Sequence, residues 1–215
     1  YAYFHQGGGW NQNIRFDQVR SIVESADFAV HDYWCYEVVE NGGGSRSLRR
    51  APEWVEGRTF LNSRDFAIYE NRVFPNKPPG TTLMALPAYW LIRNIESWIG
   101  ADPDRWWSLT LNLYLITVLS VGAVGSLGGV AFYRTSRALF PSVARTHHLV
   151  ATLFVFLGTL LLPYSTLLFD HVPTAALLLL AFALLFNGPH HEVSTSALNL
   201  RLLLAGLLCG GAVIT

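Results

Sequence analysis

Lys77 stands in the run Asn76-Lys77-Pro78-Pro79-Gly80, immediately before an apolar segment and twelve positions after Asp65. Two consecutive prolines fix φ and remove two backbone donors, so the lysine is carried on a stiff, extended elbow. Its ammonium is then a positioned point charge suited to an anionic group such as a phosphate. Asp65 is one short loop or hairpin away and precedes the same apolar segment. A carboxylate so placed can take the proton of an acceptor hydroxyl while a cation stabilises a leaving phosphate, the pairing that glycosyl transfer onto a hydroxyl needs. Asp17, near Arg15, is the second candidate base, and Asp27, Asp32 and Glu37 are further acids of the same region.

A second group lies in Leu167-Leu168-Phe169-Asp170-His171-Val172-Pro173, where Asp170 and His171 sit between apolar runs. Ionisable residues beside hydrocarbon are costly and usually have a reason to be there. Two readings are open. Asp170 caps a helix whose first turn holds Pro173, with His171 bonded to a loop carbonyl, or His171 binds a phosphate, a metal or an acceptor beside Lys77. No zinc-ligand spacing, nucleophile elbow, Walker A loop or dinucleotide fingerprint is present.

The elements that must position these residues fall into two halves. With 51% hydrophobic and 14% charged residues, the chain has the composition of an integral membrane protein. Zero net charge gives no global field for nucleic acid. Cys35 lies in a polar region and Cys209 in an apolar run, so a disulfide between them is not expected. Residues 1 to 80 form a polar, aromatic region punctuated by Gly7-Gly8-Gly9 and Asn41-Gly42-Gly43-Gly44. Within it, Ile14, Val19, Ile22 and Val23 predict a short amphipathic helix over 13–25. Arg46, Arg49 and Arg50 are expected in a flexible, solvated loop.

Residues 81–99 carry Arg93, Glu96, Trp90 and Trp98 and predict a juxtamembrane or shallowly inserted helix, with a full crossing as the alternative. Transmembrane helices are expected in 100–215, at about 107–133, 148–163, 171–187 and 199–215. Gly122, Gly125, Gly128 and Gly129 would allow close helix approach in the first of them. Between the first two, Arg134, Arg137 and Arg145 occur without an acidic residue, which by the positive-inside rule puts that loop in the cytoplasm. The N-terminal region is then external, and Lys77, Tyr164, Asp170 and His171 emerge on one membrane face.

The ordered set Gly9-Trp10-Asn11-Gln12-Asn13-Ile14-Arg15-Phe16, Asp65, Phe74-Pro75-Asn76-Lys77-Pro78-Pro79-Gly80, Leu86-Pro87-Ala88-Tyr89 and Gly158 to Ser165 with Phe169-Asp170-His171 resembles bacterial members of the GT-C glycosyltransferase superfamily. These enzymes are related to protein mannosyltransferases and to the lipid A aminoarabinose transferase. The resemblance runs from about Gly9 to Thr215 and implies an all-α, polytopic helical membrane protein with a large external first loop. It also implies a further transmembrane helix before Tyr1, the chain being an N-terminal fragment. The implied activity is transfer of a sugar from a polyprenyl-phosphate donor at the periplasmic face of the bacterial inner membrane. Lys77 matches the lysine that contacts the donor phosphate, and Arg15 an arginine of the first external loop. By analogy a divalent metal near the phosphate is open, with His171 as a candidate ligand.

The chain departs from the pattern at one place. Better-known relatives carry an Asp-Glu pair where this chain has Gln12-Asn13. An amide is no carboxylate base, so either Asp65 or Asp17 takes that role or the chain is a catalytically inactive, structural subunit of a larger membrane complex. Membrane lipid and protein partners are the expected company in either case.

Overall fold

The computed structural model describes residues 8–41, 45–51, 53–186 and 195–215. Gly7 and Gly42 to Gly44, expected as loop punctuation, lie outside the described residues, as does the side chain of Arg46.

Helix α1 spans Trp10–Ser25 and ends on Ala26, a left-handed residue at φ 53°. It covers the helix expected over 13–25, but without the expected amphipathic division into a buried and an exposed face. From Ile14 to Ser21 every residue is buried, polar ones included. Ile14 packs with Val30 and Val73 on one side. On the other, Phe16 and Val19 join Tyr89, Ile92, Ile116, Leu168 and Val172 in the main core. A helix buried all round is ordinarily apolar; this one buries Arg15, Asp17 and Arg20, each of which finds a partner described below.

Five strands follow: β1 (Cys35–Asn41), β2 (Ser45–Arg50), β3 (Phe60–Leu61), β4 (Phe66–Tyr69) and β5 (Arg72–Pro75). They form an antiparallel sheet in the order β2-β1-β3 and a separate β4-β5 hairpin. Glu70 and Asn71, both at positive φ, make the hairpin's turn. The arginines assigned to a flexible loop are therefore strand residues. Arg49 lies opposite Glu37 in the register and pairs with it at 3.2 Å.

The remaining elements are helices: α2 (Gly80–Ile99), α3 (Trp106–Thr117), a π-helical turn (Val118–Gly122), α4 (Ala123–Leu139), α5 (Arg145–Leu157), α6 (Leu161–Ser165), α7 (His171–Phe186) and α8 (Thr195–Ile214). The π-turn joins α3 and α4 without a break, giving one 34-residue rod, Trp106–Leu139.

The expected all-α, polytopic architecture is thus corrected on two counts. Residues 35–75 build β-structure, and among the described residues only Trp106–Leu139 and Thr195–Ile214 are both long and apolar enough to cross a membrane. The expected span at 148–163 breaks at Gly158, leaving α5 with 13 residues before the short α6. The span at 171–187 appears as 16 described residues, about 24 Å of helix against about 30 Å of hydrocarbon. Helix α2 is not among the helices apolar enough to cross; Arg93 and Glu96 pair on it at 3.1 Å, and Trp98 is exposed.

Candidate functional site

Arg15 is the hub of the first cluster. Its side chain is fully buried, and it projects from α1 toward the proline elbow and the start of α7. Nε donates to Asn11 Oδ1 at 2.9 Å, one turn back on α1. Nη1 donates to the Pro78 carbonyl at 3.2 Å, and Nη2 to Asp170 Oδ2 at 3.0 Å. Three segments distant in the chain thus meet on one guanidinium, whose planar fork suits such divergent acceptors. Burial lowers the Arg15 pKa, opposed chiefly by Asp170 and also by Asp65. An arginine starts high enough to remain a cation there.

The β4-β5 hairpin brings Asp65 and Lys77 together. Asp65 precedes β4 and Lys77 follows β5; the Asn76 N–H donates to the Asp65 carbonyl at 3.2 Å, closing the open end of the hairpin. Lys77 Nζ then lies 3.6 Å from Asp65 Oδ2, with both side chains roughly a quarter exposed. Ser63 anchors this end to α1: its hydroxyl donates to the Trp10 carbonyl at 2.7 Å and accepts the Asp65 N–H at 3.0 Å. A pair at that separation with water access contributes at most about 1 kcal/mol. An anion can therefore compete for the ammonium.

Asp170 also approaches His171, with Oδ1 3.5 Å from Nδ1. Its backbone carbonyl accepts the Thr174 N–H at 2.9 Å in the first turn of α7, while its side chain is turned to Arg15. The side-chain cap, one of the two readings left open by the sequence, is thus replaced by an ion pair. The His171 ring stands edge-on to Tyr164 with centroids 4.7 Å apart, and it is the most exposed member of the cluster. Lys77, Arg15, Asp65, Asp170, His171 and Tyr164 are therefore linked by a chain of contacts and short connections, and Asp17 is not among them.

Asp17 lies two residues from Arg15, about 200° around the helix, and is directed elsewhere. The Asn62 amide donates to both its oxygens, at 2.7 and 2.9 Å. Burial pushes its carboxyl well above the usual range, against the pull of Arg20, Asn62 and Arg50. Asp17 and Asp65 occupy different environments on different sides of α1.

Several partners escaped the sequence reading. Gln12 Oε1 accepts the Leu168 N–H at 3.3 Å, and Asn13 donates to the Asn62 carbonyl at 2.8 Å. Arg20 bonds Glu24, Tyr36 and Asp104, while Arg50 reaches Glu24 and Asp104. Only the Arg20/Glu24 part has a local signal, an i,i+4 spacing; the rest spans from 16 to 84 positions. In the first turn of α2, Thr81 and Thr82 are wholly buried, and their hydroxyls find no partner among the described residues.

Among the described residues no group of three or more His, Cys, Asp or Glu side chains converges. Next to His171, the Asp170 carboxylate is already held by Arg15. No protein-family model, curated protein or solved structure was found to match the chain.

Proposed function

We propose that this protein is a membrane-associated glycosyltransferase, or a large part of one, using a polyprenyl-phosphate-linked sugar at the external face of the bacterial inner membrane. The observation that carries the reading is the convergence of Arg15, Lys77 and Asp65 at the N-terminal end of α2. Pro78 and Pro79 supply no backbone donors, and among the described residues no side chain caps that helix. The dipole at that end favours an anion, and Lys77 is the accessible cation beside it, while Arg15 is buried behind the elbow on Asn11, Pro78 and Asp170. The buried, unpartnered hydroxyls of Thr81 and Thr82 in the same turn add to this picture.

In the proposed reaction the donor phosphate replaces Asp65 as the partner of Lys77, and the buried Arg15 holds the elbow in place through the Pro78 carbonyl. The bond between the anomeric carbon and the phosphate oxygen breaks, its electron pair staying on the phosphate. The acceptor oxygen bonds to the anomeric carbon, and its proton passes to Asp65, released from Lys77. Asp65 is preferred to Asp17 because it touches the lysine. Arg134 and Arg137, expected in a loop, lie in the last two turns of α4 at the far end of the Trp106–Leu139 rod, and Arg145 opens α5 just beyond; a basic end there supports an external site at the opposite end of the rod.

A specific observation favours the second reading, a non-catalytic subunit. Gln12 and Asn13, at the positions where the resembled enzymes carry acids, are both spent on internal hydrogen bonds. Transfer assays on membranes separate the two. Lys77→Ala and Asp65→Asn should each abolish sugar transfer from a polyprenyl-phosphate donor; full activity in either variant would sink the proposed mechanism.

A further inference from the structure

We infer that the cavity on the Asp17 side of α1 binds an uncharged, hydroxyl-rich head group, a glycosyl or polyol unit carried on an apolar chain. The cavity measures about 460 Å³ and lies between α1, β1-β2, the turn at Asn62 and the start of α3. That is the size range of small-molecule sites, which are mostly apolar with a few placed polar groups. Here the polar groups include Asn13, Asp17, Tyr36 and Asn62, and Trp106, Leu109, Thr110 and Leu113 form the wall on α3.

Charge selects against an anion. Arg20 also lines the cavity, but its guanidinium already serves Glu24, Tyr36 and Asp104, so it is no spare cation for a phosphate. The Asp17 carboxyl, fully buried beside Asn62, offers an anion no positive charge in either protonation state. Hydroxyls fit better because each can donate and accept. The Asn13 amide gives its N–H to the Asn62 backbone and the Asn62 amide gives its own to Asp17. Among the described residues no donor reaches either amide oxygen, which leaves both as acceptors for ligand hydroxyls.

The wall on α3 accounts for the apolar chain. Trp106 begins the 34-residue rod that is long and apolar enough to cross a membrane, and the residue is 61% exposed. Such a residue suits the interfacial level of a bilayer. Its flat face can cover a sugar ring, while Leu109 and Leu113 continue one and two turns further along the rod.

The test uses the full chain in a phosphocholine detergent, titrated with hexyl β-glucoside below its micelle-forming concentration. Hexanol and hexyl phosphate control for the chain alone and for a charged head. Calorimetry should show saturable glucoside binding, with both controls at least tenfold weaker. Trp106→Ala, and Thr110→Trp to fill the cavity, should each weaken glucoside binding at least tenfold while the circular-dichroism melting curve stays within a few degrees. Lys77→Ala should leave glucoside affinity unchanged, so this site and the phosphate reading fail separately. Equal binding of hexanol, tighter binding of hexyl phosphate, or unchanged glucoside affinity in both cavity variants would overturn the assignment.

Discussion

Arg15 is a guanidinium without access to water, and Asp170 is the carboxylate that neutralises it. Removing one partner of a buried pair strands the other charge, at a cost of about 3 kcal/mol. Asp170→Asn is therefore expected to lower unfolding stability by about that amount in denaturant titration. Glu24 gives a second, pH-dependent expectation. Burial alone would raise its carboxyl, but Arg20, the Tyr89 hydroxyl and Arg50 together outweigh it and hold it below the ordinary value. A depressed carboxylate contributes stability that is present above the unfolded value of about 4.3 and is lost as pH falls through the lower folded value. Glu24→Gln should accordingly melt well below the parent at pH 7, with the difference shrinking as pH drops below about 4. A gap independent of pH would show that the carboxylate charge is not what stabilises the network.

At the scale of elements, α4 and α7 approach closely where Gly128 meets Ala176. A β-carbon built on Gly128 would lie 2.9 Å from Ala176 Cβ and 3.2 Å from its Cα. Gly128→Leu should force the helices apart and lower stability by about 2 kcal/mol, whereas Gly206→Ala, in open space on α8, should be nearly silent in the same melts. Close approach at a glycine was legible in the sequence of the first apolar run, though not which glycine makes it. The proline elbow and the short Asp65–Lys77 connection were legible too, because proline acts locally on φ and on donors. The strands were not. Ser45–Arg50 carries three arginines, and its order comes from β1, through pairs such as Glu37 with Arg49. Nor was the burial of α1 legible, since its charged residues Arg15, Asp17 and Arg20 are satisfied by Pro78, Asn62, Asp104 and Asp170, all remote in sequence.

For the whole molecule, composition and apolar runs indicated a membrane protein, but run length overstated the spans because Gly158 interrupts one of them. Helix α8 tests membrane association most simply. Its most apolar window is only 11% buried, and Leu203 and Leu207 project from it unprotected. Exchanging both for aspartate should cost about 3 kcal/mol each at the centre of a bilayer, and should move the protein from the carbonate-resistant membrane fraction into the soluble or aggregated one. The central claim, that the Lys77 elbow holds a lipid-linked phosphate, is tested most directly by binding. Native mass spectrometry of the full chain with a polyprenyl phosphate should show a bound lipid that is lost, or at least tenfold weaker, in Lys77→Ala; equal occupancy in the two proteins would contradict it.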